Sequence, residues 1–105
     1  MANLGIPPYL VKYGAAKIKL AQEGFQQIIA EFGGENVIAQ ITAAGKTKLI
    51  GDAVRDVMYY GSTGSLWECY YAVEAIKITP EMAPYLTEER KQEFKNRLIQ
   101  VLSSL

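Results

Sequence analysis

The chain has 105 residues, half of them apolar, with 11 basic and 11 acidic side chains and therefore no net charge. That much hydrophobicity without net charge argues against disorder. A neutral chain also has no overall field to draw in phosphate backbones or anionic lipid, which disfavours nucleic acid and membrane surfaces as partners.

Histidine is missing altogether, which removes the usual general base, pH switch and metal ligand together. The single cysteine, Cys69, can form neither an internal disulfide nor a thiolate zinc site, and it fits a reducing compartment. The length suits one domain over residues 1–105. The opening MANLGIPPYLVKYG lacks the basic and apolar regions of a secretory signal, and no window approaches the roughly 20 apolar residues that span a bilayer. The expectation is a soluble cytoplasmic protein with no cofactor.

In chain order, Pro7 and Pro8 open a helix, where their missing N–H groups are not needed. Ile18, Ala21, Phe25, Ile28, Ile29 and Phe32 then fall on one stripe at 3.6 residues per turn. Gly14 and Gly24 each weaken this helix by about 1 kcal/mol relative to alanine, and Gly14 marks a possible break. Gly33-Gly34 ends it in the left-handed conformation that glycine tolerates.

Residues 36–48, NVIAQITAAGKTK, read two ways. Val37, Ile38, Ile41 and Thr42 suit a strand by propensity. Val37, Ile38 and Ile41 also lie at helical spacing among alanines, and no second strand is available for pairing. A short helix ending near Gly45 is the better reading.

A further helix starts at Thr47 or Lys48, with Ile50, Ala53, Val54, Val57 and Met58 as its apolar stripe. Gly61 is expected at its C′ position. Ser65 and Glu68 have capping-box spacing for the next helix, in which the serine hydroxyl takes a free N–H and the glutamate reaches back. GSTGS is thereby explained as a turn between helices. Leu66 to Ile78 is apolar nearly all round, the pattern of a central helix or of one whose second face meets another subunit. Thr79-Pro80 starts a piece that Pro84 limits to a turn or two. Thr87 caps a last helix with Glu88 and Glu89 at its positive end and a stripe of Phe94, Leu98, Val101, Leu102 and Leu105. The fold class is all-α: a compact irregular bundle of four main helices plus one or two short helices.

Chemistry-bearing motifs are weak. Gly45-Lys46-Thr47 resembles the end of a phosphate loop, but Gln40 stands where the first glycine belongs and no parallel sheet surrounds it. Asp52 and Asp56 share a helix face, and Glu23, Glu31 or Glu74 would have to complete any cation site; a solvated face explains them. Cys69 lies in the most apolar helix without a basic partner, as an inert thiol does.

The tyrosines stand out: Tyr9, Tyr13, Tyr59, Tyr60, Tyr70, Tyr71 and Tyr85, with Trp67. Rings with a polar tip favour buried interfaces, and antiparallel packing of their helices would gather Tyr59, Tyr60, Tyr70 and Tyr71. The candidate interface or pocket is therefore Tyr59, Tyr60, Trp67, Tyr70 and Tyr71. The leading expectation is a non-catalytic interaction protein that forms a homodimer through this surface. A small-molecule binder with a Tyr/Trp-lined pocket is the alternative. A helix-turn-helix DNA binder built on Asn36–Ala44 and Lys48–Tyr60, with Lys46, Lys48 and Arg55 on phosphate, is the third.

Overall fold

Five helices follow one another: α1 (Pro8–Glu31), α2 (Gly34–Gly45), α3 (Ile50–Ser62), α4 (Leu66–Ala75) and α5 (Glu88–Ser104). They are seen in a computed structural model that describes residues 8–45 and 50–105, with side chains for 15–44 and 54–105. Pro7, Lys46 to Lys48 and the side chains of Tyr9, Tyr13 and Asp52 lie outside those residues. Among the described residues there is no strand, and the all-α reading holds.

α1 runs unbroken through Gly14 and Gly24. Its stripe enters the core as expected: Ala21, Phe25, Ile28 and Ile29 are buried, and Phe32 packs against them. A side chain at Gly24 would begin 2.6 Å from Val101 Cγ1 of α5, so this glycine lets two helices approach. Gly33 and Gly34 both have positive φ, 108° and 78°; they end α1 as expected, and α2 already begins at Gly34.

The described part of the ambiguous segment, residues 36–45, is helix. Ile41 is buried, Val37 and Ile38 pack on the core, and Thr42 donates its hydroxyl to the Ile38 carbonyl at 2.9 Å. That back-bond suits a hydroxyl in a helix interior. Burial of one face at helical spacing overrides the strand propensity.

The turn from α3 to α4 differs from the sequence expectation in both of its caps. The left-handed residue is Gly64, φ 82°, rather than Gly61. Ser65 N–H donates to the Tyr60 carbonyl at 2.8 Å and Gly64 N–H to that of Gly61 at 3.2 Å, the paired bonds of a Schellman motif with Gly64 at C′. Gly61 lies inside α3 for a different reason: a Cβ there would sit 2.2 Å from the Phe25 ring. The capping box does not form. Ser65 is fully buried, its hydroxyl makes no cap bond to α4, and its Oγ lies 3.1 Å from Thr63 Oγ1.

α4 stops at Ala75 rather than Ile78, with Ile76 extended at φ −69°, ψ 125°. Pro80 accounts for this. In a continued helix it would bond back to Ile76, but it has no N–H and its ring would clash with that carbonyl. Lys91 Nζ of α5 donates to the Ile76 carbonyl instead. Residues 80–85 form turns anchored by the fully buried Met82.

Thr87 caps α5, accepting from the Arg90 N–H at 3.1 Å. Phe94 meets Phe32 edge-on at 5.1 Å and Phe25 at 6.4 Å, which ties α5 to α1. A bidentate pair reinforces that join: Arg97 Nε and Nη2 donate to the two Glu31 carboxylate oxygens at 2.8 and 3.0 Å. The Arg97 hydrogen bond holds the Glu31 carboxyl below its ordinary range.

Candidate functional site

α4 sorts its residues by side. Leu66, Cys69 and Val73 are buried, at i, i+3 and i+7, and they face the core. Trp67, Tyr71 and Ala75, each four apart, occupy the opposite face and are exposed. Trp67 keeps 38 % of its surface and Tyr71 60 %. Their rings stack, with centroids 6.4 Å apart and planes 30° apart. Tyr70 stands edge-on to both, 6.0 Å from Trp67 and 5.5 Å from Tyr71. Lys95 of α5 lies over the Tyr70 ring at 5.3 Å and reaches Glu74 at 3.6 Å, so the cluster has a charged edge supplied by a neighbouring helix.

Tyr59 and Tyr60 pair with each other at 5.4 Å near the end of α3, Tyr59 being exposed and Tyr60 half-buried. Among the described aromatic residues no ring contact joins this pair to the trio on α4. The five candidate residues thus form two ring clusters, one on α3 and one on α4, rather than one continuous set of ring contacts. The side of α4 that meets α3 is the Cys69 side, where the thiol donates to the Val57 carbonyl at 3.5 Å. Tyr71, on the far side, is turned away from α3.

Cys69 itself is fully buried, and desolvation pushes its thiol up to about 12. At neutral pH it is therefore a weak donor in the core, not a thiolate.

A second feature has no counterpart in the sequence reading. A partly open apolar cavity of about 50 Å³ lies between α2, α3, α4 and the start of α5. Ile41, Val54, Val57 and Phe94 line it, as do Arg90 and Lys91. None of the five candidate residues does. The sequence carries each wall as an ordinary core position, so only the arrival of Arg90 and Lys91 beside them would have signalled a site, and that depends on how α5 docks.

No protein-family model, curated protein or solved structure matches this chain. The remaining motifs gain little from the structure. α2 and α3 do pack on each other, as a helix pair would, and Arg55 is exposed, but Lys46 and Lys48 lie outside the described residues. Among the described residues no group of three or more acidic or cysteine side chains assembles for a metal. Glu31 and Glu74 are engaged with Arg97 and Lys95. No helix among them is long and apolar enough to cross a membrane.

Proposed function

We propose that this protein acts by binding rather than catalysis, and that it pairs with a second copy of itself through the outer face of α4. The observation that carries the reading is the stacked, exposed Trp67–Tyr71 pair with Tyr70 beside it. Tryptophan and tyrosine are the residues most enriched where interfaces concentrate their binding energy. Three such rings in one patch exceed what scattered surface hydrophobicity explains.

A second copy suits the patch because a chain with no net charge meets no overall repulsion from itself. A stable interface needs about 800 Å² from each partner, a modest share of the 6181 Å² surface. Tyr59 and Tyr60, on the neighbouring helix, would extend the contact at its edge. In this reading the helices form one compact irregular bundle over the whole chain, working in the reducing cytoplasm that a single buried cysteine suits.

Light scattering on size-exclusion fractions over a range of concentrations tests it. A dimer that Trp67→Ser with Tyr71→Ser converts to a folded monomer is the expected result. A clean monomer for the unaltered chain at high concentration would rule self-association out and leave a different protein as the occupant of this face.

A further inference from the structure

We propose that the cavity between α2, α3, α4 and α5 is a binding site for a short aliphatic carboxylate, its tail inside and its carboxylate held by Arg90 and Lys91. The inference rests on the shape and lining of the cavity and is independent of the self-association reading, since the two share no residue.

The lining is divided by chemistry. Its walls are branched aliphatic and aromatic side chains, including Ile41, Val54, Val57 and Phe94. An apolar void of this kind holds water poorly, and its wall atoms lack contacts on one side. Any hydrocarbon group that fits gains both. Among the described residues the charged members of the lining are Arg90 and Lys91, with no acidic residue beside them. In a chain with equal numbers of acids and bases, two adjacent cations beside an apolar cavity select a negative head group.

Both cations are already oriented. Lys91 Nζ donates to the Ile76 carbonyl, which uses one of its three protons and holds the ammonium beside the wall formed by the end of α4. The Arg90 guanidinium lies 4.0 Å over the Phe32 ring, and Nη1 meets Glu93 at 2.7 Å, which leaves other donors of the five for a ligand. Both residues sit in the opening turns of α5, where the free N–H groups add positive potential. Glu88 and Glu89 share that turn but do not line the cavity.

Size sets the ligand class. A cavity of about 50 Å³ is roughly a third of one known to admit benzene. It takes a tail of a few carbons and excludes a long acyl chain or a partner's helix.

The experiment is a titration of the 15N-labelled protein with propanoate, butanoate, pentanoate and hexanoate, and with the alcohols of the same lengths, followed by amide shifts. The expected result is saturable binding that tightens roughly fourfold per added methylene until the cavity is full and then levels off, with shifts centred on Ile41, Val54, Val57 and Phe94. Carboxylates should bind better than the matched alcohols. Arg90→Gln with Lys91→Gln should abolish that preference while leaving alcohol binding in place. Val54→Ile, which puts a methyl group into the space, should shorten the longest tail that still gains; Val73→Ile serves if the first variant loses helicity. Absence of saturable binding across the series would overturn the proposal, as would equal affinity for butanoate and butanol in the unaltered protein, or binding indifferent to the cavity-filling change.

Discussion

α3 and α4 are neighbours in sequence, joined by one Schellman turn and packed on each other, yet they dispose of their apolar residues differently. α3 buries Val54 and Val57, turns Arg55 and Asp56 to solvent and leaves one ring, Tyr59, exposed near its end, so the chain's own core accounts for most of its pattern. α4 buries Leu66, Cys69 and Val73 and then shows Trp67 and Tyr71 to solvent as well. The difference teaches that a helix apolar on every side need not be central. Here its second apolar face stays exposed, and that surplus is what the proposed self-association would cover.

The sharpest test of this contrast compares adjacent residues of α4. Leu66→Ala, at a fully buried position, should cost about 2–5 kcal/mol in urea unfolding. Trp67→Ala, one residue away and partly exposed, should cost less than Leu66→Ala in the monomer while weakening self-association. Equal losses of stability at the two positions would mean that Trp67 belongs to the core and that the outer face carries no special role.

On α3, Gly61→Ala should cost about 3 kcal/mol, because the new Cβ would lie 2.2 Å from the Phe25 ring. The usual helix preference for alanine, about 1 kcal/mol, has the opposite sign. Phe25→Leu introduced together with it should recover part of the loss, giving a non-additive double-mutant cycle. Additive effects would remove the close approach of α1 and α3 as the explanation.

Gly64→Ala should cost less, about 1–2 kcal/mol, from its φ of 82° and a Cβ 3.1 Å from the Ile18 carbonyl oxygen. Gly64→Asn should recover some of it, since asparagine tolerates the left-handed region better. Loss of the turn would disturb α4 and its aromatic face before it disturbs α3.

The smallest effect lies away from both helices. Glu31 is held below its ordinary 4.5 by the Arg97 hydrogen bond. The folded protein therefore keeps this carboxylate charged at a pH where the unfolded chain takes up a proton. The stability it contributes is present above 4.5 and disappears as the pH falls through the lowered value. Arg97→Gln should flatten the acid limb of the stability profile slightly, and an unchanged limb would show the exposed pair to be energetically silent.

Much of the fold was legible because it rests on periodic burial. The stripe from Ala21 to Ile29, the glycine stop at Gly33-Gly34, the Thr87 cap and the Phe94–Leu98 stripe are local patterns, and each emerges where the spacing puts it. The caps around residues 61–65 were misread because two glycines and a serine satisfied several local rules at once. Gly61 is there for another reason, since Phe25, 36 residues earlier in the chain, occupies the space where its Cβ would stand. The candidate rings were legible as residues but not as a grouping. Tyr59 and Tyr60 make their ring contact with each other, and Trp67, Tyr70 and Tyr71 make theirs on α4, while Cys69 and Val57 meet between the helices.

By itself, then, the sequence determined the all-α class and the buried stripes of α1, α3 and α5, since these follow from side-chain spacing at 3.6 residues per turn. It also determined the surplus of aromatic residues around the α3–α4 turn. Only the tertiary structure decided that this surplus stands outside the core, and that Arg90 and Lys91 meet an apolar cavity whose walls come from four helices. Those outcomes depend on how distant segments dock, and helix docking is set by the volumes of side chains brought together from far apart in the chain rather than by any pattern along it.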